Sequence, residues 1–248
     1  MIYLEVLCIV LFIQFIFAFL AIRLKTDTFT DISYGGTFVL IMFYLLFTYT
    51  WWVVHYILFL LITLWWIRLA AYLFMRILII KKDKRFDWIR EKKVSFAKFW
   101  TLQAIIIFFL LLAPLVVYTQ SNALSLFTFF WSLFSIIWLL IESIADYQKF
   151  QAKRQQPHRW VDKWLRAKAR HPNYLWEIMM WRGIYIICIP FFQWWQFLTI
   201  IWPFSITWLL LFITWIPPLE EQRDRQYGEN PEYIHRKNNT NMLIPIKR

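Results

Sequence analysis

Long apolar runs separated by short polar stretches set the reading of this chain. Runs near the ~20 residues needed to cross a bilayer recur along it. They predict seven helical spans, at 2–22, 32–49, 53–77, 99–118, 124–145, 174–189 and 197–216. The third span can run longer if tilted, because Arg68 and Arg76 are what interrupts it. The first run has no basic residue ahead of it and no small-residue cleavage site behind it, so it reads as a span and not as a signal peptide. No Pro/Gly/Ser-rich linker, repeat or low-complexity tract divides the chain. The expected fold is an all-α integral membrane protein: one domain over residues 1–248, with a bundle of about seven transmembrane helices and a C-terminal tail.

Composition agrees with this pattern. Hydrophobic residues make up 60% of 248 positions, with 17 Trp and 25 Phe but only 4 Gly, more apolar surface than a soluble core of this size buries. A net charge of +12 would suggest nucleic acid for a soluble chain, yet here the charge follows topology. Residues 81–98 hold eight Lys/Arg against three acids, and residues 146–172 hold eight against two. The turns at 48–52, 119–123 and 190–196 carry no charge. With seven spans, the positive-inside bias places the N-terminus outside and both basic loops and the tail from Pro217 in the cytoplasm. The expected partner is the lipid bilayer, of a bacterial inner membrane or the endoplasmic reticulum, and not nucleic acid.

Cys8 and Cys188 sit in apolar runs, and His55, His158, His171 and His235 are scattered, so neither a metal site nor a disulfide is signalled. The informative polar residues gather at span ends. Arg68, Tyr72 and Arg76 recur every four residues and share a helical face, which presents two guanidinium groups to an anion or lets them snorkel to headgroups. Asp31 and Tyr34 lie one turn apart ahead of Gly35-Gly36, either as a proton-donating pair or as a helix cap and an interfacial tyrosine. Glu142 and Asp146 share a face beside Lys149, Lys153 and Arg154, where they serve a site or simple ion pairs.

The densest cluster is Arg170-His171-Pro172-Asn173-Tyr174-Leu175-Trp176-Glu177. Pro172 suits a first helical turn, and the i, i+4 spacing aligns Arg170 with Tyr174 and Asn173 with Glu177. A solvated helix cap explains Arg170 and His171 but not Glu177 one turn into an apolar span, where an unpaired charge is costly. A polar ligand shared by these groups explains all of them. The tail beyond Pro217 mixes charges in helical fashion and ends in Leu243-Ile244-Pro245, so it is expected to pack back onto the protein.

In order along the chain, several motifs resemble the steroid 5-alpha-reductase-like family of membrane reductases, in its DUF1295 branch. They are Asp31-x-x-Tyr34-Gly35; Trp66-x-Arg68-Leu69 with Arg76; Asp83-x-Arg85-Phe86 with Arg90; Gln103 with Pro114; Asp146-x-Gln148-Lys149; Arg170-His171-Pro172-Asn173-Tyr174-x-x-Glu177; and Glu220-Glu221 through Tyr233 to Ile244-Pro245. The resemblance implies a catalytic core over about 99–248 that holds NADPH and passes hydride to an activated carbon–carbon double bond of a lipophilic substrate. By position, Asn173 and Glu177 would meet the nicotinamide end. Tyr174 and Asp146 would shape the cofactor pocket, Arg68, Arg76, Lys153 and Arg170 would face phosphates, and His171 and Glu221 would be further cofactor-binding residues. The proton donor would be Asp31 with Tyr34, or Tyr72. The catalytic tyrosine of steroid-reducing members, three positions before the span-three arginine, is Trp65 here, which departs from the steroid reaction. Arg-His-Pro-x-Tyr and a terminal Glu-Glu also mark membrane methyltransferases that use S-adenosylmethionine, the competing reading.

Overall fold

The computed structural model describes residues 1–24, 26, 28–49, 52–80, 93–120, 124–156, 159–162, 164–214 and 216–244; the side chains of residues 28, 31, 73–80, 93, 213 and 214 lie outside the described set. The helices are α1 (Ile2–Leu24), α2 (Thr28–Thr48), α3 (Val53–Ile80), α4 (Lys93–Tyr118), α5 (Leu126–Gln155), α6 (Leu165–Lys168), α7 (Pro172–Cys188), α8 (Ile201–Leu209), α9 (Ile216–Tyr227) and α10 (Pro231–Asn239). Short 3-10 turns at Ile189–Phe191 and Trp194–Ile200 link α7 to α8, and a π turn at Leu210–Thr214 follows α8. Among the described residues the extended pairing is an isolated parallel bridge between Ala169 and Asn241.

Among the described residues, five helical stretches are long and apolar enough to cross a bilayer: Ile2–Leu24, Val53–Tyr72, Val94–Tyr118, Leu126–Gln155 and Trp194–Tyr227. The protein is therefore an all-helical, multi-pass membrane protein. Two of the seven expected spans are shorter than the rest. Ile32–Thr48 is a shorter apolar stretch, and α7 has 17 residues, ~26 Å at 1.5 Å per residue against a ~30 Å hydrocarbon core. The stretch expected as one regular helix at 197–216 changes type along its length. Pro203 has no N–H to offer the Thr199 carbonyl, so a regular ladder cannot run through the start of α8, and the preceding turn is 3-10.

The chain forms two compact units, Met1–Leu133 with Ile184–Thr199, and Phe134–Gly183 with Ile200–Arg248. In the first, α1 packs on α2 and α4, α2 on α3 and α4, and α3 on α4. Val6, Val10, Met42, Leu58, Ile62 and Ile107 are buried between these helices, while Phe12, Phe15, Phe47 and Leu60 face outward. Apolar residues on both faces are what a helix in lipid requires. Since lipid is as apolar as the interior, close packing and polar contacts hold the helices together. Gly35 allows one such approach: a Cβ there would fall 1.6 Å from Trp66 Cδ1. A polar knot supplies another. Gln103 Nε2 donates to Gln14 Oε1 (2.9 Å) and Ser33 Oγ (3.1 Å), and Gln14 Nε2 donates to Thr37 Oγ1 (2.8 Å), tying α1, α2 and α4. At the other end of α1, Glu5 accepts the Tyr44 and Tyr49 hydroxyls at 2.8 and 2.7 Å.

In the second unit, α5 and α7 are closely packed. A Cβ on Gly183 would lie 2.5 Å from Ser135 Oγ, and the rings of Trp138 and Trp176 are 4.9 Å apart. These pairs run antiparallel. From Gly183 to Trp176 and from Ser135 to Glu142 the helices each advance ~10 Å. Buried Glu142 and Asp146 are thus level with the N-terminal end of α7.

Candidate functional site

The site builds around the start of α7, within the second unit. Pro172 occupies the first helical turn, where its missing N–H costs nothing. Ahead of it the backbone is extended, with Ala169 at φ −141° and ψ 143°. This extended strip pairs with the end of the chain: the Arg170 N–H donates to the Asn241 carbonyl and the His171 N–H to the Met242 carbonyl, both at 2.9 Å. The tail is thereby pinned against the α6–α7 segment.

The helix α9 supplies the anionic centre. Glu220, Asp224 and Tyr227 fall at i, i+4 and i+7, on one face. Glu220 receives Arg170 Nη2 on Oε2 at 3.1 Å and His171 Nε2 on Oε1 at 2.6 Å, with Arg223 Nη1 3.6 Å from the same Oε1. A carboxylate oxygen at 2.6 Å needs a donor, so Nε2 carries the imidazole proton. Arg170 also donates through Nη1 to the Lys237 carbonyl at 2.6 Å. One turn along α9, Asp224 accepts Lys237 Nζ on both oxygens (2.7 and 2.6 Å) and the Tyr233 hydroxyl at 3.0 Å. The rings of Trp160, Tyr227 and Tyr233 close on one another at 5.5, 5.6 and 5.7 Å and wall off this side. Asn230 caps α10 and fixes Tyr233, its Oδ1 accepting the Glu232 N–H at 2.9 Å.

Behind the strip, Arg166 is 3% exposed and donates to the Arg170 carbonyl (3.0 Å) and to Asn173 Oδ1 (2.8 Å). Arg236 donates to the Arg166 carbonyl at 2.6 Å. Among the described residues the cluster gathers the cations Arg166, Arg170, Arg223, Arg236 and Lys237 with Lys153 in electrostatic reach, against the carboxylates Glu220 and Asp224 with Asp162 in reach of Arg236.

The electrostatics follow from this crowding. The apolar part of the stretch containing α9 ends at Pro217-Pro218, so Glu220 lies beyond it. Burial pushes the His171 imidazole below its ordinary value, the Glu220 hydrogen bond opposes that, and the positive Arg223 and Arg166 add to it. Burial would raise the Glu220 carboxyl, but the His171 hydrogen bond and the charges of Arg170 and Arg223 outweigh it and hold the carboxyl low. Burial and the nearby Arg223 bring the Arg236 guanidinium down from its usual range. An excess of cations sharing limited water is a seat for an anion.

The residues expected from sequence fall in different places. Arg170, His171 and Asn173 join this one hydrogen-bonded cluster, and the Tyr174 ring lies 5.8 Å from that of His171. Glu177 is half-buried one turn into α7, and Asp146 is buried on α5. Lys153 donates to the Arg159 carbonyl at 2.7 Å. Glu221 points away from the cluster, exposed and paired with Arg225. In the first unit, half-buried Arg68 and Tyr72 lie one turn apart on α3, and the Tyr34 ring packs edge-on against Phe38 (5.3 Å) and Trp65 (6.2 Å). The side chains of Asp31 and Arg76 and the whole of Asp83, Arg85, Phe86, Arg90, His158 and Pro245 lie outside the described residues.

Sequence reasoning did not single out Arg166, Arg223, Arg236 or Lys237, and it took Glu221 where Glu220 is the inward carboxylate. Two adjacent acids on a helix lie 100° apart, and only the partner surface decides which turns in. The repeat of Glu220, Asp224 and Tyr227 on one face is the signal that favours Glu220.

A multi-pass helical membrane protein with a cation-rich polar cluster at one helix N-terminus is the class that fold and residues define. The chain belongs to the DUF1295 family, described as a protein of unknown function, whose family model matches residues 16–240. No curated protein and no solved structure matches the chain.

Proposed function

We propose that this protein is a membrane-embedded, NADPH-dependent oxidoreductase that reduces an activated carbon–carbon double bond, enone or enoyl, of a lipophilic, sterol-like or fatty substrate. The observation that carries the reading is the excess of cations over carboxylates among the described residues at the mouth of α7. A dinucleotide with a pyrophosphate and a further ribose phosphate is a polyanion whose phosphates suit guanidinium and ammonium donors. Arg166 and Arg170 are spent on backbone carbonyls, Asn173 and Glu220. Among the described residues Arg223 makes long contacts, 3.4 Å to His171 and 3.6 Å to Glu220, with a side chain 25% exposed. Arg223 is therefore the guanidinium most available to a phosphate.

In this reading the cofactor supplies hydride. The chain's own residues hold it and manage the proton. Asn173 and Glu177 orient the nicotinamide amide, Arg170 and His171 position Glu220, and the Trp160, Tyr227 and Tyr233 rings exclude water. Reduction of an enone leaves charge on the substrate oxygen, so a donor is required there, and Tyr34 with Asp31, or Tyr72, is the donor proposed from the sequence. The proposed topology has seven spans, counting Ile32–Thr48 and α7, with the N-terminus outside and the tail in the cytoplasm, in a bacterial inner membrane or the endoplasmic reticulum.

A methyltransferase using S-adenosylmethionine is the second reading. The buried Glu142 and Asp146, level with the start of α7, favour it, because carboxylates suit a sulfonium better than a phosphate. Thermal unfolding of the detergent-purified protein separates the two. A midpoint raised by NADPH and unmoved by S-adenosylmethionine supports the reductase, and the opposite ranking replaces it with the methyltransferase.

A further inference from the structure

From residue 184 to residue 219 the chain has no Asp, Glu, Lys, Arg or His, yet midway it leaves regular helix. The turn there is firmly built. The Gln193 N–H donates to Gln196 Oε1 and the Gln196 N–H to the Gln193 carbonyl, both at 2.8 Å. Thr199 Oγ1 donates to the Gln196 carbonyl at 2.6 Å, and the Tyr185 hydroxyl to the Phe197 carbonyl at 3.0 Å. The Phe192 ring packs on Tyr185 (5.3 Å) and on Phe197 (5.5 Å). The outcome inverts a soluble turn. Gln196 and Thr199 are buried, while Trp194, Trp195 and Leu198 are 93%, 63% and 64% exposed. Trp194 holds a left-handed φ of 29°, a conformation bulky residues avoid and keep only where surroundings enforce it.

We propose that the Trp194–Thr199 turn is an interfacial anchor that seats Trp194, Trp195 and Leu198 in the phospholipid headgroup layer of the bilayer. Two physical limits bracket that depth. Water is a poor environment for three large apolar side chains side by side on a rigid turn. The hydrocarbon core is equally poor, since a 3-10 connection leaves carbonyls and two indole N–H groups in need of partners that lipid tails lack. Headgroups supply acceptors for the indoles and an apolar boundary for their rings. The turn also runs on along the chain into α8, so its lipid contact continues one the protein already makes.

The test uses the full chain in phosphatidylcholine/phosphatidylglycerol vesicles. Nitroxide labels go on Trp194→Cys, Trp195→Cys and Leu198→Cys in a Cys8→Ser background, with buried Cys188 left in place. Phe12→Cys, outward on the middle of α1, and Glu229→Cys, in the exposed turn after α9, are the references for core and water. Accessibility to oxygen relative to a water-soluble nickel chelate should place all three turn labels between the references. Labels as open to nickel as Glu229→Cys, or as shielded as Phe12→Cys, would overturn the proposal. So would spectral broadening that disappears on dilution with unlabelled protein, which would mean that a second copy covers the turn. If one label prevents insertion, the other two carry the measurement.

Discussion

His171 and Glu220, 49 positions apart, share a 2.6 Å hydrogen bond that joins the start of α7 to α9. The imidazole is 1% exposed and the carboxylate 13%. Nearby Arg170 and Arg223 make the ionised carboxylate the favoured form, and burial makes the neutral imidazole the favoured form. The pair is thus a neutral donor to an anion, and one tautomer of His171 satisfies it.

Both groups have depressed proton affinity when folded, so below the unfolded His value of ~6.5 the unfolded chain binds more protons than the folded one. Their contribution to stability is complete above that pH and is lost as pH falls. Scanning the thermal midpoint from pH 8 to pH 5 should show a decline of several degrees that begins below pH 7. His171→Asn, which cannot titrate, should be less stable at pH 8 and show a flatter slope. An unchanged slope would assign the decline to other groups.

The two neighbouring acids of α9 should respond very differently to the same change. Glu220→Gln leaves Arg170 and Arg223 without their carboxylate, and breaking a partly buried pair of this kind costs ~3 kcal/mol. Glu221→Gln removes an exposed i, i+4 pair with Arg225, worth ~0.5 kcal/mol or less. Chemical denaturation of the two variants in the same detergent measures the difference directly.

Much of the first unit was legible in the sequence because lipid imposes one requirement, long apolar stretches, that composition displays openly. Interrupted or shortened helices were less legible. α7 carries Asn173, Glu177 and Arg182 in 17 residues, so its apolar signal is weak, and the backbone type around Pro203 depends on which carbonyls lose a donor. At the site, Arg170, His171 and Asn173 announced themselves through their density at the edge of an apolar run. Arg166, Arg223, Arg236 and Lys237 look like any solvated basic residues until tertiary packing brings α9, α10 and the strip before α7 together. Long-range pairs such as Arg170 with Lys237 have no period to detect.

Close helix approach in the first unit gives a packing prediction. Gly35→Ala places a methyl 1.6 Å from Trp66 Cδ1, which forces the indole or the helix to move. Overpacking of this kind costs ~1–3 kcal/mol. Shortening the partner relieves it, so Gly35→Ala combined with Trp66→Leu should be more stable than the sum of the single effects implies. A double-mutant cycle on thermal midpoints reads the coupling, and strict additivity would show that the two residues do not meet.

Arg223 and Arg170 separate ligand binding from structure. Arg170 is 11% exposed and anchored at both ends, to Glu220 and to the Lys237 carbonyl, so Arg170→Ala should lower the midpoint of the protein alone. Arg223 is more exposed and its contacts are long, so Arg223→Ala should leave that midpoint within ~2 °C while abolishing most of the rise produced by NADPH. A charge-assisted phosphate contact is worth ~1.5–3 kcal/mol, a loss of roughly tenfold to a hundredfold in affinity. Titrating NADPH against both variants, with NADH in parallel, also shows whether the extra ribose phosphate is the group that Arg223 meets. If so, Arg223→Ala erases the preference between the two nucleotides; if NADPH stabilises Arg223→Ala as well as the parent, the phosphate seat lies elsewhere.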